Sequence, residues 1–185
     1  MVSDPAFYID YIPVYIKESL PSTNVAIKAY SDQELVLVAN TQEQGKGSQG
    51  RVWESEEGGL YYSYASRKTS LSEGFSDTLT LEVGAGLKAI VEQEAKLCVE
   101  LKEPNDLLID QKKCAGILVE GVQKAGEQAL DWLIIGIGLN INQRDFSETI
   151  KKTATSLQIE SAKAYNRNRF IKLITRMLKD VLSRY

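Results

Sequence analysis

Apolar positions change their period along this chain. Leu35-Val36-Leu37-Val38-Ala39 is an almost unbroken apolar run of strand length, the pattern of a strand covered on both faces. Tyr11-Ile12-Pro13-Val14-Tyr15-Ile16 predicts a short strand before it, and Pro13, lacking an N–H, predicts that this strand lies at a sheet edge. Between the two, Leu20 to Asn24 is a turn, with Ser22 or Thr23 placed to cap a helix from Val25 to Tyr30. Leu60 to Ala65 is tyrosine-rich and predicts a third strand. The period then lengthens. Phe75, Leu79, Val83, Leu87 and Ile90 recur at helical spacing behind Ser72, a candidate cap. Strand patterns return at Leu97–Leu101, Leu107–Ile109, Cys114–Val122 and Ala129–Ile141, the last two joined by a turn over Gln123–Gln128. The chain ends on a helical stripe of Phe170, Leu173, Ile174, Met177, Leu178, Val181 and Leu182. Strands and helices mixed, then a run of strands, then a helix predict an α+β fold, a mixed and largely antiparallel sheet with flanking helices.

Composition narrows the chemistry. At 185 residues, 43% of them hydrophobic and 25% charged, the chain has the size and proportions of one globular domain. A net charge of -3 argues against nucleic acid as the main partner. No apolar run is long enough to cross a membrane, and the start, MVSDPAFYID, has no targeting pattern, so the cytoplasm is the expected compartment. Cys98 and Cys114 both lie in apolar, strand-like runs and read as small buried residues. There is no histidine, which excludes a Ser-His-Asp triad, a histidine base and a histidine metal site.

Three segments carry candidate chemistry. Gln42 to Trp53 interleaves Gly45, Gly47 and Gly50 with Lys46 and Arg51; exposed amides and cations suit a phosphate or carboxylate, and equally a plain surface connection. No Gly-Lys-Ser/Thr closes it, so it is not a Walker loop. In Lys102–Asp106, Pro104-Asn105-Asp106 is a turn whose oxygens suit a cation, followed by Lys113-Cys114-Ala115-Gly116. In Gly136-Ile137-Gly138-Leu139-Asn140-Ile141-Asn142, alternating glycines strip one face of a strand, for tight packing or for a flat ligand.

Taken together these segments resemble the catalytic domain of biotin protein ligases, whose fold is akin to class II aminoacyl-tRNA synthetases. Ser22-Thr23-Asn24 resembles the family's STN, QEQGKGSQGRVW its glycine-arginine loop, KEPNDLLI its KWPNDLLI, and KCAGILVE, GIGLNIN and ATSL its later motifs, all in the family's order. The resemblance implies ATP-dependent activation of biotin and its transfer to a lysine of the biotin carboxyl carrier protein of acetyl-CoA carboxylase, with Mg²⁺. It implies that Ser22, Thr23, Gln42, Gly45, Lys46 and Gly116 hold biotin. Lys46, Arg51, Trp53, Asn105, Lys113 and Asn140 would hold the nucleotide, Trp53 covering the adenine and Asn140 reading its edge. Lys113 would be the catalytic residue and Asp106 would face Mg²⁺. Homodimers are common in the family.

The chain also departs from the pattern. Ser48 stands in place of a loop arginine and implies looser retention of the adenylate, and Glu103 replaces the tryptophan of KWPND. No winged helix precedes the STN segment and no β-barrel follows the last helix, so a single catalytic domain without DNA binding is expected. A lipoate or octanoate ligase or transferase of the same fold, and a non-catalytic biotin-binding module, are the rival expectations. The Arg-Arg-x-Gly-Gly-Gly segment followed by histidine that marks the lipoate group is missing.

Overall fold

A computed structural model describes residues 4–30, 33–67, 75–123 and 130–185. The predicted Ser72 cap, the turn after Gln123 and the side chain of Phe75 lie outside the described residues.

Eight strands form one sheet in the order β1-β2-β3-β4-β8-β7-β6-β5. They are β1 (Phe7–Ile9), β2 (Ile12–Leu20), β3 (Leu35–Gln42), β4 (Leu60–Ser66), β5 (Glu100–Lys102), β6 (Asp106–Ile109), β7 (Lys112–Gln123) and β8 (Leu130–Leu139). Only β2 and β3 run parallel; every other neighbouring pair is antiparallel. The α+β, largely antiparallel reading is the architecture found. The parallel step needs a crossover, and helix α1 (Thr23–Ala26) with the 3₁₀ turn Ile27–Tyr30 supplies it. Ser22 precedes α1 without a side-chain cap bond.

The apolar runs explain the layers. β3 and β4 are the central strands whose side chains are buried on both faces, as the Leu35–Ala39 pattern requires. On one face, α2 (Phe75–Ala95) and α4 (Arg167–Leu182) lay Leu79, Val83, Leu87, Phe170, Ile174 and Leu178 onto the sheet to form the main core. Inside it, Tyr62 and Thr175 are hydrogen-bonded at 3.0 Å, so neither buried hydroxyl is orphaned. The other face carries a smaller cluster around Tyr15, Ile27, Leu37 and Trp132 and leaves the rest of that surface to the site.

Several expectations are corrected. Pro13 does not mark the edge: β1 lies outside β2, with Tyr8 opposite Pro13. Residues 97–99 are not strand, and Cys98 is exposed, whereas Cys114 is buried in β7 as expected. β8 ends at Leu139, two residues short, because Asn140 turns to bond β7 and the segment that follows. The short helix α3 (Leu157–Ser161) had no periodic signal; it starts where Ser156 accepts the Ile159 N–H at 3.1 Å.

Candidate active site

The glycine-rich segment is a small folded hairpin. Trp53 N–H donates to Gly45 O and Gly47 N–H to Arg51 O, each at 2.8 Å, and Lys46 bridges Val52. Its tip turns through Ser48–Gly50, where the Ser48 hydroxyl oxygen accepts from Arg51 Nη2 at 2.9 Å and Asn105 Nδ2 at 3.2 Å. Ser48 thus ties the loop to the Pro104-Asn105-Asp106 turn.

This hairpin delivers Trp53 onto the sheet. Gly116 of β7 and Gly138 of β8 are cross-strand partners, and the indole lies against both. A Cβ added at Gly138 would come within 2.5 Å of Trp53 Cε2, and one at Gly116 within 2.7 Å of Cζ3. Of the alternate glycines on β8, Gly138 accommodates something flat, this ring, while Gly136 faces the Asn24 side chain. Lys113 Nζ lies 5.1 Å from the ring centroid. The indole N–H, against Gly138, is buried with no partner among the described residues.

On one side of Trp53 is a small cavity lined by Ser22, Thr23, Asn24, Gln42, Lys46 and Gly116. Its inner end is polar. Gln42 Oε1 accepts from the Thr23 amide at 2.7 Å, while Gln42 Nε2 donates to Ser55 Oγ at 2.8 Å. On the other side is a cleft of about 480 Å³, lined by Trp53, Asp106, Lys113, Asn140, Phe146, Ile150 and Ala154 among others. Lys113 and Trp53 are the residues common to both walls. Lys113 Nζ is 2.6 Å from Asp106 Oδ1, so this cation is held between the two spaces.

Not every expected residue joins this group. Arg51 is exposed and turned toward Ser48, lining a third, adjoining pocket with Asn105 and Asp106. Asn105 spends its amide N–H groups on Ser48 and the Ile117 carbonyl. Asn140, expected to read a base edge, lines the larger cleft while its amide donates to Thr155 O at 3.0 Å and its carbonyl accepts from Gln143 Nε2 at 3.1 Å. It is a structural tie between β8 and the segment capping α3. Trp53 lies on the glycine pair and forms the partition between the cavities. Cys114, next to Lys113, points into the core, where burial pushes its thiol up to about 12. It is no nucleophile. Ser55 and Ser63, which support the small cavity, had no functional signal in the sequence, because small polar residues within strands and turns look alike whether or not they meet; Asn24 and Glu120 stood inside the STN and KCAGILVE segments but carried no role there.

The family model of the biotin/lipoate A/B protein ligase family matches residues 16–140. The chain belongs to the biotin/lipoate A/B protein ligase family. Among curated relatives, the bifunctional ligase/repressor BirA of Bacillus spizizenii is 35% identical over 134 residues, 71% of this chain and 41% of the relative. The biotin–[acetyl-CoA-carboxylase] ligase of Mycobacterium tuberculosis is 30% identical over 157 residues, 81% of this chain and 53% of that protein. The chain thus spans about half or less of the length of these relatives. Among solved structures, the biotin protein ligase of Aquifex aeolicus in complex with biotin and ATP matches with a TM-score of 0.81 and 32% identity, over 92% of this chain and 70% of that one. The Leishmania major biotin protein ligase in complex with biotinyl-5-AMP matches with a TM-score of 0.75 and 26% identity, over 93% and 75%. The family resemblance drawn from the motifs therefore holds. No helix among the described residues is long and apolar enough to cross a membrane.

Proposed function

We propose that this chain activates biotin with ATP to biotinyl-5'-AMP and passes the biotinyl group to a lysine of the biotin carboxyl carrier protein of acetyl-CoA carboxylase. The carrying observation is that Lys113 and Trp53 stand in the wall of both cavities. A ring held at the Thr23–Gln42 end of the small cavity would bring its carboxylate to Lys113. A nucleotide in the larger cleft would bring its α-phosphate to the same ammonium from the other side. The polar inner end supports biotin over lipoate or octanoate, whose far ends carry no N–H or C=O groups to satisfy it.

Such a site needs no histidine. The carboxylate is already ionised; its oxygen attacks the α-phosphorus, and pyrophosphate departs with the electrons of the broken P–O bond. Lys113 offsets negative charge where it builds up, and the two cavities fix the approach. In the second step the acceptor amine, as its free base, attacks the acyl carbon. AMP leaves with the electron pair, and the new amide nitrogen gives its proton to solvent. Trp53 and the loop over it keep water from the mixed anhydride.

The described residues contain no cluster of three or more acidic or cysteine side chains that could cage a metal. Two carboxylates, Asp106 and Glu54, do line the larger cleft. That set fits Mg²⁺ arriving on the nucleotide's phosphates with most of its water, held by Asp106 and the Asn105 carbonyl. There the ion would supply charge neutralisation at the phosphates. We place the reaction in the cytoplasm, where ATP and unmodified carrier meet, and expect a homodimer, as the family resemblance suggests.

The test is adenylate formation from biotin and α-labelled ATP, with Lys113→Ala beside it. The chain should form biotinyl-adenylate, and the variant should lose on the order of 10²-fold or more in rate. Biotin binding with no adenylate at any ATP concentration would reduce the chain to a binding module.

A further inference from the structure

The polar end of the small cavity belongs to a hydrogen-bonded chain longer than the cavity. Beyond Gln42, Ser55 Oγ donates to the Trp53 carbonyl at 2.9 Å, and that carbonyl can only accept. Ser55 therefore has only a lone pair left for Gln42 Nε2, which fixes Gln42 with its Oε1 toward Thr23.

The other direction ends the same way. Thr23 Oγ1 lies 2.8 Å from Ser63 Oγ, Ser63 Oγ lies 2.5 Å from Asn24 Oδ1, and Asn24 Nδ2 donates to Glu120 Oε2 at 2.8 Å. Glu120 is held in turn by Lys28 at 3.2 Å. An ionised carboxylate only accepts, so Asn24 must turn its NH₂ to Glu120 and its carbonyl to Ser63. Ser63 then gives its single proton to Asn24. The 2.8 Å contact with Thr23 is then attractive only if Thr23 gives its one proton to Ser63 rather than to Gln42 Oε1, which lies farther away at 3.2 Å. The chain is enclosed: Ser63 is fully buried, and Asn24 lies so close to β8 that a Cβ at Gly136 would stand 2.2 Å from its Oδ1.

Two acceptors at the ends thus draw the protons outward and leave lone pairs in the middle, on Thr23 Oγ1 and Gln42 Oε1, where the cavity is. We infer that Glu120, acting through Asn24 and Ser63, is a specificity-determining positioning residue that turns the cavity's inner end into an acceptor for ligand N–H groups. The inference rests on the biotin reading and deepens it: a ring bearing N–H donors, as a cyclic urea does, is selected, and an end without them is refused.

The test exchanges the surface pair, Glu120→Lys with Lys28→Glu. The ion pair survives, but the residue facing Asn24 becomes a pure donor, Asn24 turns over, and each proton along the chain reverses. Titration calorimetry with biotin and with octanoic acid, each without ATP, reads the result. The exchanged protein should bind biotin on the order of tenfold or more weakly, with octanoic acid and the melting temperature unchanged. Glu120→Gln, which still offers an acceptor, should stay within about threefold of the original. Ser63→Ala breaks the relay without touching Glu120 and should also narrow the preference for biotin over octanoic acid, whatever the folding of the exchanged protein. Unchanged preference in the exchanged protein or in Ser63→Ala would overturn the assignment. A wild-type chain that binds no biotin would remove the functional reading itself, a result visible before any variant is made.

Discussion

Gly138→Ala isolates the contact on which the partition between the cavities depends. Gly138 is an ordinary strand residue without positive φ, so alanine is tolerated by the backbone and should, on conformational entropy alone, stabilise the strand by about 0.5–1 kcal/mol. The added methyl, however, would sit 2.5 Å from Trp53 Cε2, 2.7 Å from Nε1 and 2.8 Å from Cζ2. Carbon atoms in contact need about 3.5 Å or more, so the ring must retreat by about 1 Å. If the ring is held in place, crowding costs about 1–3 kcal/mol. If the loop gives way, the protein keeps or gains stability and loses the partition. Either way Trp53 and Lys113 shift relative to the reacting atoms, and a 1 Å misplacement costs on the order of 10²-fold in rate. The assay is adenylate formation, read beside indole emission in a Trp132→Phe background, since Trp132 is the other tryptophan and is buried at 4% exposure. A variant with the original rate and unchanged emission would refute the claim that the indole lies on the glycine pair while the enzyme works.

Other outcomes follow from single contacts. Ser48→Ala removes the acceptor shared by Arg51 and Asn105, so trypsin should cut after Arg51 several-fold faster, with little change in melting temperature. A thiol reagent at neutral pH should modify exposed Cys98 quickly and leave Cys114, whose thiol burial holds near 12, until the protein unfolds. Arg169 grips both carboxylate oxygens of Glu94 and holds its pKa below the ordinary carboxylate value. A depressed carboxylate stabilises the fold fully above its unfolded value and loses that contribution as pH falls through the folded one. Melting curves from pH 7 to 3 should therefore drop less steeply at the acid end in Glu94→Gln than in the original chain.

What the chain discloses before folding depends on the kind of pattern. Leu35–Ala39 announced a strand covered on both faces because burial on two sides leaves no polar position, and the α2 and α4 stripes were equally legible. Motif order drew Thr23, Gln42, Trp53 and Lys113 into one site, and they do meet. Asn140 lines the larger cleft, but its residue type suits a base edge as well as it suits a backbone carbonyl, and its bond to Thr155 could not be read from the sequence. Pro13 suggested an edge, yet the edge belongs to β1, too short at three residues to leave a period. Glu120 ends the KCAGILVE motif, yet nothing in the motif gave it a role. It is 96 residues from Asn24, and a glutamate closing an apolar strand is usually a solvated end.

The position of Lys113 in the wall of both spaces has a thermodynamic corollary. On the proposed function one ammonium would serve two anionic guests, so neither would bind without altering what the other meets. Linkage is reciprocal: the factor by which an occupant of the small cavity changes the dissociation constant of a nucleotide must equal the factor by which the nucleotide changes that of the occupant. The two compartments would then act as a single coupled receptor, with its coupling energy concentrated on a side chain that Asp106 already holds in place.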